Sequence, residues 1–152
     1  INPFNLRNPR KDMIWIGLAG PASNLIMACF FALIFHGLVF LDPRITFIIP
    51  QILRLSFDIP KEFGLATSII TPLAFLSVFG VFVNVILAFF NLIPIPPLDG
   101  SKLLIGLSPE KMARWLIALE PFGFIVVYLL FLAGIIQVFL IPALYLVGLL
   151  LF

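Results

Sequence analysis

One carboxylate in this chain follows a stretch in which no helix can continue. Asp99 comes directly after Pro94, Pro96 and Pro97, and Gly100 follows it. The three prolines remove three backbone donors and end a helix. A carboxylate delivered by a broken helix can ligate a cation, but Pro-Pro-Leu-Asp-Gly is also a favourable turn sequence. From these residues alone, the binding interpretation and the turn interpretation both stay open.

The composition of the chain defines the environment of this carboxylate. Of the 152 residues, 62% are hydrophobic and 11% are charged, whereas soluble domains are about 45–50% apolar and about 25% charged. We therefore expect the lipid bilayer to be the solvent, where a carboxylate needs a cation, a metal or a water-filled cavity as its partner. The net charge of +2, without a basic stripe, argues against nucleic acid as a partner.

Three uncharged runs are long enough to cross a bilayer core, which takes about 20 residues. They cover residues 13–41, 69–98 and 121–152. We predict an all-α, multi-pass membrane protein of about three spans, in which a Pro-broken helix carries Asp99 and Gly100. The third run is longer than one straight span, and we expect Pro142 to kink or divide it.

Local signals predict where other segments begin and end. Pro72 suits the first turn of the second helix, and Ser108 followed by Pro109 is typical of an N-cap with proline at the first helical position. Residues 42–68 hold six charges and three prolines, which indicates a loop outside the membrane. Within it, residues 47–57 are amphipathic, and we expect them to lie at the membrane interface.

The distribution of Lys and Arg predicts the orientation of the chain. Cations on one side of the predicted spans are Arg7, Arg10, Lys11, Lys102, Lys111 and Arg114, and those on the other side are Arg44, Arg54 and Lys61. Cytoplasmic loops carry the excess of positive charge in membrane proteins. The Asp99 side is therefore predicted to be cytoplasmic.

The residues around Asp99 resemble a motif of known membrane proteases. Asn-Leu-Ile-Pro-Ile-Pro-Pro-Leu-Asp-Gly at residues 91–100 is similar to the Asn-Pro-Asp-Gly motif of the site-2 protease family, zinc metalloproteases that cut substrates within the membrane. Arg-Asn-Pro-Arg-Lys-Asp-Met at residues 7–13 and Ala-Gly-Pro-Ala-Ser-Asn at residues 19–24 resemble the third core helix of that family and its lead-in. The resemblance covers residues 1–105.

The resemblance implies roles for two polar residues. Asp99 corresponds to the third zinc ligand, and Asn91 to a polar group near the substrate or the transition-state oxyanion. The other ligands in the family are the two histidines of H-E-x-x-H, whose Glu is the general base. The zinc-bound water attacks a peptide carbonyl, and the implied substrates are membrane-spanning proteins.

This chain departs from the family because it contains no H-E-x-x-H. Its single histidine, His36, has no Glu or second histidine in register, and we interpret it as an interfacial or packing residue. We expect residues 1–152 to be part of one transmembrane metalloprotease-like domain whose amino-terminal part, with H-E-x-x-H, is missing. Alone, such a chain supplies one zinc ligand and cleaves nothing. The alternative is a family member that has lost the motif.

Two non-proteolytic functions stay open at this point. A catalytically inactive family member could act as a membrane scaffold that binds partner helices near Asn91 and Asp99. An ion-coupled transporter could use the carboxylate at the broken helix to coordinate an ion, although no inverted repeat is visible. The oligomeric state, the substrate and any regulatory domain are not determined by the sequence.

The remaining polar residues of the apolar runs are assigned structural roles. Cys29 has no basic neighbour and is interpreted as a packing residue. Asn24 and Asn84 are expected to form hydrogen bonds between helices. The adjacent Ser101 and Lys102 are interpreted as residues that start a helix.

Overall fold

The computed structural model describes residues 8–47 and 65–152, and the regular elements in these ranges are all helical. The helices are α1 (Pro9–Leu41), α2 (Leu65–Asn91), α3 (Asp99–Leu107), α4 (Glu110–Leu119), α5 (Gly123–Leu132) and α6 (Ile136–Leu151). A 3₁₀ turn, Glu120–Phe122, joins α4 to α5. The all-α prediction is therefore confirmed, while residues 48–57 of the predicted interfacial piece lie outside the described residues.

Three helical stretches in the described part are long and apolar enough to cross a bilayer. They are Arg10–Leu41, Ile69–Asn91 and Glu110–Leu132. The prediction of about three spans is confirmed, but the third span begins earlier than residue 121. The amphipathic α4 continues through the 3₁₀ turn into α5, so its ten residues add to the length of the third span. The shorter apolar helix α6 follows it.

The last apolar run divides at Gly134 and not at Pro142. The N–H of Ile135 donates to the carbonyl of Leu130, and the N–H of Gly134 donates to that of Phe131, both at 3.1 Å. These are the two bonds of a Schellman motif, and its left-handed residue is Gly134 with φ of +72°. Pro142 lies inside α6. The expected division at Pro142 is therefore wrong, because a glycine cap ends α5 first, while a kink at Pro142 stays a prediction.

Two predicted helix starts also differ from the structure. Pro72 lies inside α2, which begins at Leu65, rather than in its first turn. Ser108 closes α3 with an N–H bond to the carbonyl of Leu104, and Pro109 stands at the N-cap position of α4. The carbonyl of Pro109 accepts the N–H groups of Met112 and Ala113, and the helix starts one residue later than predicted.

A seam of small and apolar residues joins α1 to α2. Ala28 and Phe35 on α1 and Val81 on α2 are buried in it. Gly80 lets the ring of Phe31 approach the α2 backbone, since a methyl group at Gly80 would lie 2.5 Å from that ring. Small residues permit this close approach of helices in membranes. The α1–α2 pair thus forms the frame against which the shorter α3 packs.

Candidate functional site

The short helix α3 lies directly against the first half of α1. A methyl group at Gly17 would lie 2.7 Å from the backbone nitrogen of Leu103. A methyl group at Gly106 would lie 2.7 Å from the carbonyl oxygen of Arg10. Because a hydrogen atom fits at these two places and a methyl group does not, glycine sets the distance between the two backbones.

The carboxylate of Asp99 lies over the next glycine of the same helix face. A methyl group at Gly20 would overlap Oδ2 of Asp99, so the absence of a side chain at Gly20 provides the space for that oxygen. The other oxygen, Oδ1, accepts a hydrogen bond from Nζ of Lys102 at 2.6 Å. Asp99 also stands in the first turn of α3, where the helix dipole favours a negative charge.

The Asp99–Lys102 ion pair is a feature of the site that the sequence does not predict. Lys102 is expected as a helix-start residue, whereas its ammonium group is paired with the predicted metal ligand. The two side chains are 23% exposed for Asp99 and 26% exposed for Lys102, so the pair is largely sheltered. The available signal was the spacing of three residues, which places opposite charges on neighbouring positions of one helix face.

The turn that delivers Asp99 is held from two sides. A methyl group at Gly100 would lie 2.5 Å from the carbonyl oxygen of Ile93, just beyond the end of α2. At the start of α5, a methyl group at Gly123 would lie 2.7 Å from Cδ of Pro97, and the Pro96–Pro97 peptide bond is cis. The first turn of α3 therefore packs on the end of α2, and the proline turn before it packs on the start of α5.

Asn91, the other predicted site residue, is the last residue of α2 and is partly buried. Residues 92–98 connect it to Asp99, and the backbone of Gly100 folds back onto the carbonyls of Leu92 and Ile93. The structure thus places Asn91 and Asp99 at the same junction, one at the end of α2 and the other at the beginning of α3.

His36 lies far along α1 from this junction. Sixteen residues separate it from Gly20, which corresponds to about 24 Å at the rise of an α-helix. Its Nδ1 bonds to the carbonyl of Ala32 at 2.8 Å, and its ring stands edge-to-face on Phe35 with the centroids 5.7 Å apart. His36 therefore cannot share a metal ion with Asp99.

Two of the predicted structural roles are wrong. Nδ2 of Asn84 donates to the carbonyl of Gly80 at 2.8 Å, one turn earlier in the same helix, and within residues 8–47 and 65–152 it bonds to no neighbouring helix. Asparagine in a helix can satisfy its amide in this local way. Cys29 is exposed rather than packed, because the adjacent Ala28 takes the face of α1 that contacts α2.

The described residues hold no group of three or more His, Cys, Asp or Glu side chains that could bind a metal ion. Asp99 therefore offers a single carboxylate. A catalytic zinc site takes three protein ligands and leaves a fourth position open. The described residues can therefore supply one of the three protein ligands of such a site, and they do not supply the other two.

The apolar spans define an integral membrane protein. Its candidate site lies at the proline-broken junction of α2 and α3, where the Asp99 carboxylate lies over Gly20 of α1. The model of Peptidase family M50 matches residues 4–133. The chain belongs to this family, the site-2 proteases, and the resemblance to the family is confirmed.

A curated relative in Bacillus subtilis (strain 168) bears the name "Putative zinc metalloprotease YwhC". The two sequences are 28% identical over 131 residues, which cover 86% of this chain and 51% of the relative. The chain thus spans about half the length of the curated relative it matches. No solved structure is significantly similar to this chain.

Proposed function

We propose that this chain is the part of an intramembrane zinc endopeptidase that supplies Asp99 as the third zinc ligand. The observation that carries the proposal is the position of the Asp99 carboxylate, which is held over Gly20 at a proline-broken junction. Membership of the site-2 protease family supports it. Residues 1–152 then belong to one transmembrane metalloprotease-like domain, and the H-E-x-x-H segment precedes them in the full-length protein.

Zinc suits the chemistry of the residues present, since Asp carboxylates are among its usual ligands. When bound, zinc polarises the scissile carbonyl and activates a water molecule as the nucleophile. Asp99 holds the ion, and the glycines of α1 keep the carboxylate in place. The substrates are membrane-spanning segments that unwind locally so that a peptide bond reaches the metal. The protein around the site then covers the polar backbone groups that unwinding exposes.

Asn91 acts as a polar group toward the substrate in this proposal. Its amide offers two donors, and the residue stands at the end of α2 beside the start of α3. Donors aimed at a developing oxyanion are worth more in the transition state than in the ground state. Asn91 is thus assigned to the scissile carbonyl and not to the metal.

The proposal is tested with the full-length protein in nanodiscs and a membrane-spanning reporter. We expect cleavage that is lost when a chelator removes zinc and returns when zinc is added back. Asn91→Ala should slow cleavage by about 10²–10³-fold, the effect of losing one oxyanion donor, and should leave the zinc content unchanged. Chelator-resistant cleavage, or no cleavage of any membrane segment, would overturn the assignment as a zinc protease.

We further propose that the Asp99 end of the helices faces the cytoplasm. Among the described cations, Lys111 stands near this end, and Arg44 follows the opposite end of α1. In a Cys29→Ala background, which is free of cysteine within this chain, a cysteine replacing Lys111 should react with an impermeant maleimide only after the membrane is opened. A cysteine replacing Arg44 should react in intact cells, and the reverse pattern would invert the orientation.

A further inference from the structure

The carboxylate of Asp99 already has a cationic partner in this structure. Nζ of Lys102 lies 2.6 Å from Oδ1, and about three quarters of each side chain is sheltered from solvent. A carboxylate in or near a membrane is costly without such a partner. Lys102 therefore provides, within this chain, the neutralisation of charge that a bound metal ion would otherwise provide.

A divalent cation and an ammonium group repel each other when both bind the same carboxylate. With Nζ at 2.6 Å from Oδ1, a metal ion on the same carboxylate experiences a strong repulsion, which a low-dielectric environment increases. The ammonium group of a lysine can move away from the carboxylate, because it is a compact charge on a flexible four-carbon stem. Metal binding at Asp99 is thus expected to displace the ammonium group of Lys102.

A second acidic residue is available to receive it. Lys102 and Glu120 line one small cavity of about 80 Å³, which Ser101 and Pro97 also border. Glu120 is exposed and forms no ion pair with any other residue in the described ranges. Glu120 is therefore the acidic side chain that shares this cavity with Lys102.

We propose that Lys102 is the counter-ion of Asp99 in the metal-free protein and that it moves to Glu120 when the metal ion binds. The proposal rests on the assignment of Asp99 as a zinc ligand. Lys102 then competes with zinc instead of assisting it, and the ion pair balances the charge of Asp99 when no metal ion is bound.

The test measures zinc affinity of the full-length protein by competition with a chromophoric chelator. Lys102→Gln removes the competitor and should bind zinc up to about fivefold more tightly, the upper end for an ion pair of this kind. Lys102→Arg keeps the charge and pairs more firmly with a carboxylate, so it should bind zinc more weakly than the wild type. Weaker or unchanged binding in Lys102→Gln would overturn the proposal, since it would make Lys102 a positioning residue or a bystander.

Two comparisons separate this effect from a general change of charge. Lys111→Gln removes the same charge from the exposed side of α4 and should bind zinc like the wild type. Glu120→Gln should weaken zinc binding when Lys102 is present and have no effect in the Lys102→Gln background, as a double-mutant cycle would show. Additive effects of the two substitutions would exclude Glu120 as the receiving residue.

The stability of the metal-free protein provides a readout that does not depend on activity. Metal-free Lys102→Gln should unfold at a lower temperature than the metal-free wild type. The difference between their unfolding temperatures should be smaller when zinc is bound. If Asp99→Asn leaves zinc affinity unchanged, the zinc-ligand assignment itself fails and the role of Lys102 falls with it. If Asp99→Asn weakens binding and Lys102→Gln does not tighten it, only the counter-ion proposal fails.

Discussion

Replacement of Asp99 by alanine in the full-length protein is expected to abolish proteolysis and to weaken zinc binding by more than about 100-fold. Residues in the outer shell of a metal site typically contribute 10- to 100-fold to metal affinity, and a direct ligand contributes more. Zinc content after dialysis and cleavage of a membrane-spanning reporter measure the two effects.

The matched control for this substitution is Glu110→Ala. Glu110 is also an acidic residue in the first turn of its helix, but its side chain is 76% exposed and pairs loosely with Arg114 at 3.7 Å. A surface pair of this kind contributes little, so zinc binding and cleavage should stay at wild-type levels. Cleavage that survives in Asp99→Ala would contradict the ligand assignment.

The non-proteolytic functions make different predictions for Asp99→Ala. A membrane scaffold would bind partner helices almost unchanged, because the helices that form the frame do not depend on this carboxylate. A transporter would lose ion flux, and its wild type would show flux without cleavage. Only the protease loses both the metal and the hydrolysis of a peptide bond.

Gly20→Ala is expected to reduce proteolysis by about 100-fold or more, although Gly20 itself performs no chemistry. The added methyl group would overlap Oδ2 of Asp99, so either the carboxylate turns or α3 moves away from α1. A misplacement of about 1 Å in a catalytic arrangement can cost about 10²-fold in rate. The overpacking should also destabilise the protein by about 1–3 kcal/mol, which thermal unfolding in detergent measures.

The control for this substitution lies on the same helix. Nothing stands within 4 Å of a methyl group at Gly37, so Gly37→Ala should leave activity unchanged. Its stability should stay equal or rise, since alanine is a better helix former than glycine by about 1 kcal/mol in soluble helices. Equal losses of activity in Gly20→Ala and Gly37→Ala would show that the space over Gly20 is not what matters.

Much of the fold could be predicted from local properties of the chain. Long uncharged runs predict spans whatever their partners are, because the thickness of the bilayer fixes the length of helix required. The family could also be inferred before the structure, since residues 91–100 carry a specific motif. Asn91 and Asp99 remain predicted site residues, and the structure brings them to one junction.

The last apolar run shows where local reasoning fails. Pro142 is the proline in the interior of that run, but a proline inside a membrane helix can be accommodated by its surroundings. Gly134 ends the helix instead, because a left-handed residue satisfies the last carbonyls with two hydrogen bonds. The sequence contains both residues, but it does not indicate which of them interrupts the helix.

For Asp99, the sequence by itself determined a carboxylate after a broken helix, within a membrane protein of a recognisable family. The tertiary structure decided its surroundings: Gly20 beneath Oδ2 and Lys102 on Oδ1. The physical reason is that helical periodicity and hydropathy act within a segment. The close approach of α3 to α1 instead involves two segments that are far apart in the chain. It depends on glycines, and their role becomes visible only when the two helices are packed together.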